Sequence, residues 1–294
     1  MKVSGFSFIR NAIKYDYPII EAIRSIIPIC DEMIVAVGNS DDDTRILIES
    51  IDTDKIKIID TVWNDNLREN GEVLAVETNK ALECVSNDAT WCFYIQGDEV
   101  LEDNQLEYIY NALKSYQYKL NVDGFLFDYL HFYGSYDCIG SSHSWYKNEI
   151  RIVRRNSEIY SFGDAQGFRK RKNQKLRVVA LDSKIYHYGW VKDPRSMQQK
   201  QEYFNKFWHD DSWLDKNIAK TERFMYEDHI TEIRKFKGNH PSVMKERIER
   251  FNWTFNVNDA MRKRSWKDRL KDILLKVGIN ASYQNFKLYQ RFKK

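Results

Sequence analysis

Cysteine and proline are scarce, with four of each in 294 residues. Cys30, Cys84, Cys92 and Cys138 are scattered without a CxxC spacing, so neither a zinc cage nor a disulfide framework is expected. A reducing cytoplasm is the expected compartment. Twelve glycines and four prolines are too few for a low-complexity or collagen-like chain. No stretch approaches the roughly 18 uninterrupted apolar residues of a membrane span. The opening MKVSGFSFIRN lacks a signal-peptide apolar region before its first internal charge. GxGxxG and GxxxxGK(S/T) are both missing, so dinucleotide-binding and P-loop readings lose their main support.

What is present is globular in kind: 43% hydrophobic and 30% charged residues, which argues against wholesale disorder. Aromatics are plentiful at 14%; such rings fill cores and also line sugar and base pockets. The net charge of +3 is uneven, because residues 262–294 carry eleven Lys+Arg against two Asp+Glu. A mildly acidic body with a basic tail points to an anionic surface as a partner of the tail and away from a nucleic-acid-binding core. Within the tail, Trp266, Leu270, Ile273, Leu274 and Val277 recur at helical spacing, with Lys267, Arg269, Lys271 and Lys276 mainly off that stripe. This pattern suits a basic amphipathic helix, lying in a membrane interface or docked on the body.

The first hundred residues alternate strand-like and helix-like segments. Val3–Ile9, Met33–Val37, Ile56–Asp60 and Trp91–Ile95 read as strands. Between them Ile19, Ile23, Ile26 and Ile27 recur at helical spacing, and Arg45–Ile51 and Glu72–Val85 read as helices. Such alternation predicts parallel strands joined by helical crossovers, with ligands at the carboxyl ends of strands. After residue 100 the pattern becomes mixed, with a helix at Leu106–Tyr116 and strands at Gly124–Phe132, Ile150–Val153 and Val178–Ile185. From Pro194 onward it is mostly helical and polar.

Four segments carry candidate chemistry. Gln96-Gly97-Asp98-Glu99 ends a hydrophobic strand in two carboxylates; a carboxylate there can hold a divalent cation against a diphosphate, or simply close a polar turn. Tyr186-His187-Tyr188-Gly189-Trp190 follows a strand with a histidine, which could serve the same cation or sit hydrogen-bonded in the core; imidazole beside carboxylate suits Mn²⁺ better than Ca²⁺. Asp164, between Gly163 and Gly167, could take a proton from an attacking hydroxyl or cap a tight turn. Asn39-Ser40-Asp41-Asp42-Asp43-Thr44 could receive a base and ribose, or cap the next helix. Aromatics Tyr129, Phe132, Tyr133 and Trp190 are candidates to stack on sugars, and His131–Asp137 is the acceptor-side candidate.

In this order the pieces resemble family 2 glycosyltransferases of the GT-A fold. The resemblance is carried by Phe8-Ile9-Arg10-Asn11, Glu21–Ser25, Ile29–Val35, Ser40–Thr44, Thr78–Leu82 and Gln96–Glu99. The last takes the place of the DxD motif, with Gln96 replacing its first acid. The match is best over residues 3–103; Asp164 and His187 match a bacterial subgroup.

The resemblance implies an α/β, Rossmann-like mixed sheet with flanking helices and a helical C-terminal extension. Residues 1–193 would form the transferase domain, 1–103 its nucleotide-sugar half and 104–193 its acceptor half, with 194–294 the helical region. It also implies an inverting, metal-dependent transfer of a hexose or related sugar from a nucleotide-diphosphate donor to a glycan or lipid-linked acceptor. Asp98 and His187 would ligate Mn²⁺ or Mg²⁺, and Asp164 would be the base. Arg10, Asn11, Asn39, Asp42, Asn79, Gln96, Tyr133 and Trp190 would bind substrate. A lipid-linked acceptor would place the protein peripherally on the inner membrane face. Two rivals stand beside this: a nucleotidyltransferase, which would want a glycine-rich basic loop where Arg10-Asn11-Ala12 lies, and a degenerate nucleotide-sugar or carbohydrate-binding module, prompted by Gln96.

Overall fold

The computed structural model describes all residues except 143, 219, 230–231, 256–283 and 294. The Trp266–Val277 stripe, and with it the reading of the tail as a membrane-binding helix, lies outside the described residues.

The amino-terminal alternation folds as expected. It runs β1 (Val3–Ile9), α1 (Ile19–Ile26), β2 (Glu32–Gly38), α2 (Thr44–Glu49), β3 (Ile56–Thr61), α3 (Glu72–Glu83) and β4 (Trp91–Tyr94). The four strands pair in parallel in the order β4-β1-β2-β3. Side chains alternate across the sheet with period two. On β4, Trp91 and Phe93 enter one core with Ile19, Ile23 and Ile26 of α1, while Cys92 and Tyr94 enter the opposite core with Ala81 and Leu82 of α3. Burial on both faces is why β1, β2 and β4 read as nearly continuous apolar runs, while the edge strand β3 is only partly buried. Truncating Ile23, fully buried, to Ala would cost about 2–5 kcal/mol.

The second half turns the sheet into a mixed one. It contains β5 (Glu99–Leu101), α4 (Leu106–Tyr116), β6 (Gly124–Tyr133), β7 (Ser135–Gly140) and β8 (Asn148–Arg154). A separate antiparallel sheet follows, made of β9 (Ile159–Phe162), β10 (Gly167–Lys170) and β11 (Gln174–Lys175), and then the long β12 (Arg177–Trp190). β8 lies antiparallel to both β4 and β6. β12 runs parallel to β6 and antiparallel to β5.

Beyond it come α5 (Pro194–Phe204), α6 (Asp211–Asn217), β13 (Ile233–Lys235), α7 (Lys245–Glu249) and β14 (Lys287–Phe292). α5 starts where the sequence dictates: Pro194 fills the first turn and the Asp193 carboxylate accepts the Arg195 N–H. The two strands depart from the helical pattern expected here. β13 joins β7 and β14 joins β12, and segments this short give alternation little room to register. Among the described residues no helix is long and apolar enough to cross a membrane.

Candidate active site

A cavity of about 240 Å³ opens at the carboxyl ends of β1 and β4. Its floor includes Ile9, Arg10 and the Gln96-Gly97-Asp98 turn; α5 closes it with Lys200, Tyr203 and Phe204.

Strand pairing brings the two distant candidates together. β5 begins immediately after Asp98 and pairs with β12 so that His187 stands opposite Glu99, and the Tyr188 N–H donates to the Asp98 carbonyl at 2.8 Å. His187 Nε2 consequently lies 3.7 Å from Asp98 Oδ1. On the carboxylate's other side, Lys200 Nζ lies 3.4 Å from Oδ2 and donates to the Gly189 carbonyl at 2.9 Å. The adjacent carboxylate has another fate. Glu99 is fully buried and accepts from Arg151 at 2.7 and 2.8 Å and from the Tyr129 hydroxyl at 2.8 Å. Of the two acids, Asp98 lines the cavity and Glu99 ties the sheet to β8.

Charge is tuned accordingly. Burial opposes ionisation of Asp98, but Lys200, His187 and Lys192 outweigh it and hold the carboxyl at about 2. Burial lowers His187 to about 4 and His131 to about 3. Lys192 falls to about 7 through burial and its neighbour Lys200. Asp164 sits on the β9–β10 turn, where Gly163 and Ala165 both have positive φ. Burial raises its pKa, and the Gln166 amide donates to Oδ2 at 2.9 Å. A carboxylate made more basic in this way is a better proton acceptor.

Asp98, His187, Asp164, Arg10, Gln96 and Trp190 all line this cavity. Others expected at the site are engaged elsewhere. Asn79 gives both ends of its amide to the Ser161 backbone, at 2.9 and 2.7 Å, and so clasps α3 to β9. Asp42 accepts from the Thr44 and Lys14 backbone N–H groups at 3.0 and 2.7 Å, the capping role. Asn11 accepts from Asp41 N at 2.7 Å, and Asn39 accepts from Trp63 N at 3.1 Å. Tyr133 is buried, donates to the Tyr226 carbonyl at 2.8 Å, and lines a neighbouring cavity of about 450 Å³ with Trp190. Each of these is held by a local partner of the same chemistry that a ligand would offer.

Sequence reasoning passed over Lys200, Tyr203 and Trp63. Trp63 Nε1 and Tyr203 Oη are buried without a hydrogen-bond partner, and both residues line the cavity. Orphan polar atoms of this kind are rare, and a polar ligand would complete them. Arg10 lies between these rings, 5.7 Å from each centroid, and pairs with Asp65. A lone Trp in a loop and a Lys in a polar helix carry no signal of this in one sequence.

The donor set fits the divalent cation that the resemblance implies. A Cβ at Gly189 would stand 2.7 Å from both Asp98 Oδ2 and His187 Nε2, so glycine leaves open a space flanked by carboxylate and imidazole. Among the described residues no group of three or more metal-ligating side chains exists. Asp98 and His187 are thus the side chains that would hold it.

No protein-family model matches the chain, and no curated protein matches it. Among solved structures, it is similar to residues 1–349 of S. aureus TarS in complex with UDP, at 14% identity over 76% of this chain and 68% of that one, with a TM-score of 0.40. It spans 41% of the longer TarS chain. It is also similar to the glucosyl-3-phosphoglycerate synthase of Mycobacterium tuberculosis solved with Mn²⁺, UDP and phosphoglyceric acid, at 19% identity over 44% of this chain and 43% of that one, TM-score 0.29. A third likeness is the 4-diphosphocytidyl-2C-methyl-D-erythritol synthase of Anaerococcus prevotii, at 10% identity over 70% of this chain and 97% of that one, TM-score 0.37. At these scores the likenesses decide nothing about function; the cavity must.

Proposed function

We propose that this protein is a glycosyltransferase of the GT-A type, moving a sugar from a nucleoside-diphosphate donor to an acceptor hydroxyl with inversion. The observation that carries the reading is the meeting of Asp98 and His187 across the space left by Gly189, in a cavity that Asp164 also lines. The orphan groups of Trp63 and Tyr203 support a polar ligand in the same cavity, the base and ribose being the natural match.

Asp98 and His187 would hold Mn²⁺ or Mg²⁺, which when bound supplies positive charge against the leaving diphosphate. Lys200, anchored by the Gly189 carbonyl, would add positive charge beside Asp98 without reorganisation. Asp164 takes the proton of the acceptor hydroxyl as it attacks the anomeric carbon. The α5 aromatics Tyr203 and Phe204 cover the cavity and keep out the water that would otherwise compete as acceptor. The acceptor, glycan or lipid-linked, would approach past Trp190, which lines both cavities. In this scheme residues 1–193 form the transferase domain and α5 with the residues just after it closes its site.

The test is nucleoside-diphosphate release from a panel of nucleotide-sugars with Mn²⁺ or Mg²⁺. Release that depends on Asp98 and Asp164 upholds the reading; binding without release favours the module reading, which Gln96 motivates. The Gln96 amide donates to Tyr94 Oη and the Ala165 carbonyl at 3.2 and 3.3 Å, so a neutral side chain stands where the family has a carboxylate.

A further inference from the structure

His131 is register partner to His187 on adjacent parallel strands, β6 and β12. Their Nδ1 atoms lie 3.0 Å apart. The far nitrogen of His131, Nε2, lies 2.7 Å from the Tyr146 carbonyl oxygen. A carbonyl only accepts, so His131 Nε2 carries a proton. In a neutral ring this leaves His131 Nδ1 bare, able only to accept. The proton between the rings therefore belongs to His187 Nδ1, and His187 Nε2 is left as a lone pair.

That lone pair faces the Asp98 carboxylate at 3.7 Å, too far for a hydrogen bond. Two electron-rich atoms thus flank the space that Gly189 keeps open. His131 is buried, and its two nitrogens meet only another imidazole and a carbonyl, surroundings that disfavour a charged ring. The His131 ring is itself fixed, stacked between Trp145 at 5.0 Å and Tyr129 at 5.5 Å.

We infer that His131 is a positioning residue that sets the tautomer of His187, so that Nε2 is presented as a cation-ligating lone pair toward Asp98. The inference deepens the proposed transfer site and rests on the same two cavity groups. His131 does not line the cavity around Asp98; it acts through His187. Second-sphere bonds of this kind commonly fix the tautomer and orientation of ligating histidines.

The experiment is long-range ¹H–¹⁵N NMR on the full chain with labelled histidine, without metal or nucleotide. The expected result is a protonated Nδ1 and bare Nε2 on His187, with the reverse on His131. His131→Asn, whose carboxamide oxygen can still accept from Nδ1–H, should retain the His187 signature. His131→Phe, which removes the acceptor, should shift His187 toward Nε2–H. A wild-type His187 carrying its proton on Nε2 would overturn the inference, as would an unchanged His187 signature in His131→Phe. Since wild type alone supplies the first reading, an unfolded Phe variant leaves the test intact. No turnover is measured, so a protein with the expected tautomers that transfers no sugar would refute the proposed function and leave this inference standing.

Discussion

Two acidic turns follow the strands on either side of β1, and they behave in opposite ways. After β2, Ser40 to Thr44 commits its polar groups to itself and its neighbours. Ser40 accepts from Asn11 N at 3.0 Å, and Asp42 accepts from two backbone N–H groups. After β4, the Asp98 carboxylate takes no bond within its own turn; it pairs with Lys200 at 3.4 Å and faces His187 at 3.7 Å. Acidic composition is shared; what separates a cap from a site is whether local backbone donors have already satisfied the carboxylates.

This contrast is open to attack by substitution. The largest effect is expected at Asp164→Asn, which removes the proposed base: kcat should fall about 10²–10⁴-fold while donor affinity, read by isothermal titration, stays near wild type. Asp98→Asn should lower kcat about 10²–10³-fold, the scale of one lost electrostatic contact to the developing charge, and should weaken binding of nucleotide with Mn²⁺. Gly189→Ala fills the space between Asp98 and His187 and should weaken Mn²⁺ binding in the presence of nucleotide about 10–100-fold, with the backbone unstrained. By contrast, Asp42→Ala should leave turnover close to wild type and lower stability by about 1 kcal/mol in denaturant unfolding, the cost of a lost cap. Turnover lost at Asp42 and kept at Asp98 would invert the comparison.

A separate effect, away from the site, concerns stability and pH. Burial raises the Glu149 carboxyl from 4.5 to about 8. Between those values the unfolded chain releases this proton and the folded chain keeps it, so this group's contribution to stability falls as pH rises from about 4.5 to 8. Glu149→Gln should therefore melt higher than wild type near pH 8, with the gain shrinking toward pH 4.

The parallel half was legible because β1, β2 and β4 are buried on both faces and helical segments separate the strands. Asp98 was legible because a carboxylate at the end of a buried strand is conspicuous. The convergence of His187 on it was not derivable from the residues, since it depends on the choice of β5 as the antiparallel neighbour of β12. The residues left it as one of two readings of His187, and the family resemblance favoured it. Asn11, Asn39, Asp42 and Asn79 were ambiguous in the sequence, because Asn and Asp serve caps and clasps with the same atoms that would bind a nucleoside. Lys200, Trp63 and Tyr203 become visible only when α5 folds over the cavity.

A crystal structure with UDP and Mn²⁺, with anomalous data collected at the manganese edge, is the most direct test. The account predicts a manganese peak within bonding distance of Asp98 and His187, with the diphosphate beside it and the base near Trp63 and Tyr203. UDP bound in the cavity with no manganese at that pair, or bound away from the cavity altogether, would contradict it.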